Sequence, residues 1–310
     1  MLYGRRLREI LRERWDLVHC WEEPFILAGG QVSWWTPRQT PLVFWTAQNL
    51  FKRYPPPFSW VEGYSLNRCT GWVACGESIV ETLLPRGYDR RPYRIIPLGV
   101  DLDQFHPDSD KCEETRRQLG WVASGPPVVG FLGRFVPEKG VKVLTRVLDA
   151  VSVPWRMLFV GGGQMEPYLR TWGARYGDSV RVVTGIAHDE VPAYLNVMDI
   201  LCAPSQTMPN WREQLGRMLI EAFACGVPVI ASDSGEMPYV VKDAGVMVRE
   251  RDEKKWAREL AELLENPARR AELSARGIER AREVYAWPVI ARQHLDFFSE
   301  LLEISGNAKQ

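Results

Sequence analysis

The sequence predicts an α/β protein with two successive series of parallel strands and crossover helices. Three observations carry this. Short apolar runs alternate with helical patterns in two successive series, the signature of parallel sheets with crossover helices. A turn-rich stretch, Pro97-Leu-Gly-Val-Asp-Leu-Asp-Gln-Phe-His-Pro107, separates the two series. In the second series, glycines, basic residues and a carboxylate pair collect at strand ends, where ligands bind in such sheets.

The first series opens with a basic helix over 3–14, with Leu7, Ile10 and Leu11 on one face. Apolar runs at 16–20, 41–45, 71–75 and 93–96 read as strands, separated by helical patterns near 24–30, 60–69 and 77–86. After the turn-rich stretch come a polar helix at 110–119 and a turn at 124–127. Strands of the second series fall at 128–132, 156–160, 180–183, 199–203, 228–231 and 245–248. Helices lie between them near 139–150, 164–176, 189–196, 212–224 and 236–242. Two long helices follow at 252–264 and 267–284. A last helix over 288–303 carries the stripe Ile290, His294, Phe297, Phe298, Leu301 and Leu302. The domains are expected at 1–107 and 108–286, with the helix of 287–310 packing back toward the first.

Composition narrows the function. The chain has 310 residues, 45% hydrophobic and 25% charged, as soluble globular proteins do. Formal net charge is +0, which gives no bulk field for nucleic acid, and no nucleic-acid partner is expected. No run is long and apolar enough to span a membrane, and the first ten residues lack the apolar core of a signal peptide. The six cysteines form no C-x-x-C pair; they read as reduced residues of a cytoplasmic protein, most of them buried.

The densest signal runs from Pro204 to Pro228. Glu213 and Glu221 lie eight residues apart, followed by Gly226-Val-Pro228 as a helix stop. On one helix that spacing is about 12 Å of rise along one face. Glu213 is expected at the helix start, beside the N–H groups of Leu215 and Gly216. A helix N-terminus holds anions, and a carboxylate accepts sugar or ribose hydroxyls. Earlier, Gly133-Arg134 and Lys139-Gly140 flank a strand-to-helix turn, and Gly161-Gly162-Gly163 ends the next strand. Arg134 and Lys139 suit a diphosphate. Taken singly, each feature has a plain alternative: surface charges, ordinary turns and an amphipathic helix with solvated glutamates.

Together these segments resemble the family-4 retaining glycosyltransferases of the GT-B fold, in that family's order, which implies two Rossmann-like domains facing a cleft, here with the N-terminal one incomplete. The match is most specific from Glu213-Gln-Leu-Gly216 through Glu221-Ala-Phe-Ala-Cys-Gly-Val-Pro-Val-Ile230. The resemblance implies a UDP- or GDP-linked sugar donor, transferred with retention to a glycan or lipid-linked acceptor, as in cell-surface polysaccharide biosynthesis. It implies that Arg134 and Lys139 neutralise the diphosphate, with Gly133 and Gly162 giving room. Leu215 and Gly216 would add amide donors, Glu221 would accept the ribose hydroxyls, and Glu213 would contact the sugar ring. Arg134, Lys139 and Glu213 thus form the implied catalytic set. No metal or other cofactor is expected, because the cations and helix end supply positive charge. Asp101-Leu-Asp103 lies in the linker turn, away from a strand end.

The chain departs from the family in three places. Where the family carries a histidine after the second strand, Gln48 or Asn49 stands here, and an amide takes no proton. His19 either faces the cleft or belongs to the core. The segment Ser234-Gly-Glu-Met-Pro-Tyr239 varies a Gly-Gly-x-Pro-Glu pattern. About three αβ units, on the order of 70–90 residues at roughly 30 each, are missing from the first domain's usual pattern. That leaves two readings: an active transferase, or a catalytically incomplete nucleotide-sugar-binding protein that needs a partner chain. The strand at 16–20 would then be an apolar sheet edge, and residues 1–35 a region of self-association. Arg5, Arg6, Arg8, Arg12 and Arg14 near Trp15, Trp34 and Trp35 suggest peripheral contact with the inner membrane face; the alternative is a solvated helix over core tryptophans.

Overall fold

The computed structural model describes residues 2–122 and 124–307. The chain divides into two compact units. One comprises the chain up to Leu98 together with the part from Pro288 onward, and the other spans Gly99–Trp287.

The first unit begins with α1 (Arg5–Leu11), then β1 (Val18–Cys20), α2 (Leu27–Trp35), β2 (Leu42–Thr46) and α3 (Phe58–Arg68). It continues through β3 (Gly71–Ala74), α4 (Glu77–Leu83) and β4 (Tyr93–Ile95). The four strands are parallel and lie in the order β1-β2-β3-β4. Sequential order with parallel pairing requires a crossover between each pair, and α2, α3 and α4 supply them. Helix α2 begins later than the pattern at 24–30 suggests and runs to Trp35.

The second unit begins with α5 (Ser109–Gln118), capped by the Asp108 carboxylate, which accepts from the Lys111 N–H. Then come β5 (Val128–Arg134), α6 (Val141–Ala150), β6 (Arg156–Gly162), α7 (Glu166–Gly173), β7 (Val180–Val183) and α8 (Val191–Leu195). The series closes with β8 (Ile200–Ala203), α9 (Arg217–Ala224), β9 (Val229–Ser232), α10 (Met237–Val241) and β10 (Gly245–Val248). Six parallel strands lie in the order β10-β9-β8-β5-β6-β7. The order reverses beside β5, so β5 and β8 mark the switch point at which open α/β sheets bind ligands. Two apolar layers cover the faces. Leu219, Phe223 and Leu201 belong to one, and Val147, Phe159 and Trp256 to the other. Helices α11 (Glu253–Glu265) and α12 (Pro267–Arg280) complete the unit. The division between units falls after Leu98, ahead of 107, because Val100 bridges Ala286 and Phe105 is buried in the second unit's core.

The last helix, α13 (Trp287–Asn307), joins the first unit's core. Ile290, Phe297 and Leu301 bury against Val43, Val73 and Ile96. Of the apolar stripe read from the sequence, Ile290, Phe297 and Leu301 are packing residues, whereas Leu302 is exposed. The six cysteines are free, and all but Cys112 are buried; burial pushes the Cys20 and Cys69 thiols up to about 12, which makes them inert.

His19, on β1, belongs to this packing. Its ring lies 5.2 Å from that of His294 and 5.1 Å from that of Phe298, both on α13. The Trp21 indole N–H donates to its Nδ1 at 3.1 Å, and its Nε2 is buried without a partner. Burial first, and the charge of His294 second, lower its pKa from 6.5 to about 4. The folded state therefore favours the neutral ring. That contribution is complete above 6.5 and is lost as pH falls toward 4. Between those limits the wild type is expected to lose roughly 3 kcal/mol that a His19→Gln variant keeps. Denaturant unfolding at a series of pH values measures this, and parallel pH profiles for the two proteins would refute it.

Candidate active site

All the residues singled out for donor chemistry lie in the second unit, and the loops after β5, β6 and β8 position them. Strands β5 and β6 run in register to their ends, pairing Gly133 with Gly161 and Arg134 with Gly162. A Cβ at Gly133 or Gly162 would meet nothing within 4 Å, so the carboxyl ends of both strands border open space. Arg134 points outward, with a side chain 63% exposed and a loose ion pair to Glu138 at 3.7 Å. It is an exposed cation at the strand end.

Lys139 ends a short turn of 3-10 helix, Pro137–Lys139. The next residue, Gly140, has φ 72°, and a Cβ there would stand 1.8 Å from the Pro204 carbonyl oxygen. Only glycine permits that approach. The contact clamps the loop after β8 against the loop after β5, and Gln206 N–H adds a bond to the Glu138 carbonyl at 2.7 Å. Across the joint, Lys139 Nζ reaches Glu213 Oε2 at 2.5 Å, and Ser205 Oγ donates to the same oxygen at 3.0 Å. The ammonium also lies 5.3 Å from the centre of the Trp211 ring. Glu213 is only 7% exposed, so the pair is largely shielded from water. Its carbonyl accepts from the Glu236 N–H at 3.0 Å, which ties the varied 234–239 segment to the carboxylate loop.

The structure corrects the placement of Glu213. Helix α9 starts at Arg217, not near 212, so Glu213 lies in the preceding loop and does not share a helical face with Glu221. Gly216 is the reason: it caps α9 with φ 60°, and that left-handed residue reverses the chain. The two carboxylates therefore approach from different elements, and helical rise does not set their separation. Leu215 and Gly216 remain at the helix entrance, where the first backbone N–H groups have no partner within the helix.

Glu221 is 5% exposed on α9. Its Oε1 accepts from Arg217 Nε at 2.8 Å and lies 2.8 Å from His188 Nε2. Arg217 Nη2 is in turn 2.7 Å from His188 Nε2. One imidazole nitrogen serves one of these contacts at a time: it accepts from Arg217 when bare, or donates to Glu221 when protonated. The His188 ring tilts against Phe105 at 5.4 Å. Sequence reasoning missed both His188 and Arg217. The four-residue spacing from Arg217 to Glu221 was an available signal. For His188 there was none, because it reaches Glu221 from the loop after β7.

In the first unit, Gln48 is not an open group. It is buried, and its Oε1 accepts from the Tyr54 hydroxyl at 3.2 Å and from Arg86. Its Nε2 donates to Glu23 Oε2 at 3.5 Å. Glu23 also accepts from Thr46 Oγ1 at 2.6 Å and the Ala47 N–H at 2.9 Å, and burial raises its pKa. Arg86 pairs with Glu62 at 2.5 Å. These groups form one closed polar network.

Two family profiles match the chain: glycosyl transferases group 1 over residues 113–284, and glycosyltransferase family 4 over residues 1–104. The chain belongs to this family of glycosyltransferases, and its fold is GT-B. Among relatives, it is 32% identical over 206 residues to a GDP-mannose-dependent monoacylated alpha-(1-6)-phosphatidylinositol monomannoside mannosyltransferase of Corynebacterium glutamicum, covering 64% of this chain and 54% of that protein. It is 33% identical over 235 residues to a D-inositol 3-phosphate glycosyltransferase of Salinispora tropica, covering 69% and 47%. The chain thus spans about half the length of the curated relatives it matches. In fold it is similar to Anabaena Alr3699/HepE in complex with UDP, with TM-score 0.79 and 20% identity over 96% of this chain and 81% of that one.

The Gly140 contact generates a test. Gly140→Ala places a methyl group against the Pro204 carbonyl and forces a left-handed φ on alanine, so a loss of about 1–3 kcal/mol is expected. Thermal unfolding measures it; an unchanged midpoint would mean the two loops are not clamped at this point.

Proposed function

We propose that the second unit binds a nucleoside-diphosphate sugar, and that the chain transfers the sugar with retention of configuration to a glycan or lipid-linked acceptor. The carrying observation is the shielded Lys139–Glu213 pair at the sheet's switch point, with Glu221 held separately on α9. In this reading Lys139 exchanges Glu213 for a diphosphate oxygen. Arg134 swings in from the rim, and the entrance of α9 at Leu215 and Gly216 adds backbone donors. Glu213, released from Lys139, turns to the sugar ring, and Glu221 takes the ribose hydroxyls. Positive charge for the leaving diphosphate then comes from two side chains and a helix end, without a metal.

In the transfer the bond from the anomeric carbon to the phosphate oxygen breaks, and a bond to the acceptor oxygen forms on the same face. The acceptor proton passes to the departing phosphate oxygen, so no side chain need act as base. The mannosyltransferase relative's name carries GDP-mannose and the fold neighbour carries UDP, so both bases stay within the proposal.

Lys139→Ala is expected to weaken nucleoside-diphosphate binding by about 1.5–3 kcal/mol, the range for a hydrogen bond to a charged group. Titration calorimetry measures it, and wild-type affinity in the variant would remove Lys139 from the site. Nucleotide binding with neither transfer nor hydrolysis of the donor would instead favour the non-catalytic reading.

The two carboxylates are expected to separate kinetically. Glu221→Ala should raise KM with little change in kcat, because ribose contacts are equal in ground and transition states. Glu213→Ala should lower kcat, because sugar contacts change at the reacting carbon. Steady-state kinetics with the two effects interchanged would reverse the roles.

A further inference from the structure

We infer that His188 is a positioning residue for nucleotide binding: its neutral ring holds Arg217 aside so that Glu221 can accept a ribose, and its protonated ring closes Glu221 instead. The inference rests on the reading of Glu221 as the ribose carboxylate and concerns how that carboxylate is uncovered.

Glu221 is a covered group. Arg217 Nε and His188 Nε2 both meet the same oxygen, Oε1, each at 2.8 Å. The side chains of Arg217 and His188 are 57% and 48% exposed, whereas that of Glu221 is 7% exposed. A ligand arriving from solvent meets the arginine and the imidazole before it meets the carboxylate.

The two covering groups differ in freedom. His188 stands on a turn closed by its own backbone: the Ala187 N–H donates to Glu190 Oε2 at 2.7 Å, and the Glu190 N–H donates to the Ala187 carbonyl at 3.1 Å. Its ring rests on Phe105, which is buried in the second unit's core. Arg217, at the first turn of α9, has a long and largely exposed side chain with many rotamers. The arginine is therefore the part that moves, and the imidazole decides where it goes.

Arg217 Nη2 lies 2.7 Å from His188 Nε2. A bare Nε2 accepts that N–H. When ribose hydroxyls donate to Glu221, Arg217 gives up its Nε contact there and keeps the bond to the imidazole, so it still has an acceptor. A protonated Nε2 has no lone pair for Arg217 and repels it as a like charge. It donates to Glu221 Oε1, and a ribose must then break a charge-assisted bond. Among the described residues, the charged groups that meet the ring are Arg217 and Glu221, both on α9. The stretch before α5 presents the uncharged Phe105 ring, while on the histidine's own turn Glu190 is spent on Ala187 and Asp189 is exposed. Nucleotide binding thus favours the neutral ring and expels a proton when the ring is charged. Affinity is full on the alkaline side of the range in which histidines titrate, and it falls as pH drops through that range.

Titration calorimetry with GDP-mannose and with UDP-glucose, from about pH 5.5 to about pH 8, tests this. Nucleotide sugars are the probes because the terminal phosphate of a free nucleoside diphosphate itself titrates at about pH 6. The tighter-binding donor is expected to bind roughly tenfold more weakly at the acid end. It should also release protons there, read from the heats in buffers of different ionisation enthalpy. His188→Gln keeps a neutral acceptor for Arg217, so it should bind the donor equally at both ends and release none; His188→Asn serves if that variant does not fold. A wild-type affinity that ignores pH would overturn the inference. So would a loss that runs in parallel in His188→Gln, which would assign it to a group both proteins share, such as His19. Glu221→Ala should bind the donor weakly at every pH. Wild-type affinity in Glu221→Ala at the alkaline end would remove the ribose reading itself, whereas weak binding there with parallel wild-type and His188→Gln profiles would remove only the role of His188.

Discussion

The site in the second unit depends on one backbone contact, the approach of Pro204 to Gly140. Two loops that leave different strands, β5 and β8, touch there without a side chain between them. Because β5 and β8 are neighbours across the switch point, their loops start close together, and the missing Cβ closes the remaining distance. Lys139 precedes the joint on one side, and Ser205 and Gln206 follow it on the other. Their side-chain and backbone bonds, to Glu213, Glu138 and the Glu250 carbonyl, radiate from that point. Without the contact these groups would need long, flexible loops to meet. With it, the sheet itself positions them.

The two buried carboxylates solve the same electrostatic problem in different ways. A carboxylate shielded from water requires a partner. Glu213 has a lysine from a separate loop, and Glu221 has an arginine from its own helix with a histidine beside it. The first pairing joins two segments and breaks only if both are satisfied by something else, and a bridging diphosphate sugar is such a group. The second is local and its arginine is largely exposed, so it yields at lower cost. On the proposed reading, the tighter pairing holds the group for chemistry and the looser one the group for binding.

The sequence made the second unit's strands legible because most are apolar runs, as buried parallel strands are, and those of β5, β6 and β8 run into glycine or proline. The phosphate-type turns were legible for the same reason. Glu213 was misplaced because periodicity sees the apolar residues at Leu215, Met218 and Leu219 but not the sign of a dihedral at Gly216. His188 was invisible because its partner is 33 residues away and no spacing rule links them. The setting of Gln48 could not be read from the sequence, because it is fixed by Glu23, Tyr54 and Arg86, which lie on other segments. Non-local polar networks leave no period in a sequence.

That closed network bears on the chemistry. For Gln48 to turn toward a substrate it would have to abandon Glu23, Tyr54 and Arg86 together, leaving a buried carboxylate short of a donor and an arginine short of an acceptor. Glu23, which follows β1, has its pKa raised by burial, while the bonds it accepts from Thr46, Ala47 and Gln48 oppose that rise and hold the carboxylate in place. Gln48 itself, as an amide, takes no proton. The proposed transfer, in which the leaving phosphate oxygen takes the proton, asks nothing of them and would rest on Lys139, Arg134, Glu213 and the entrance of α9.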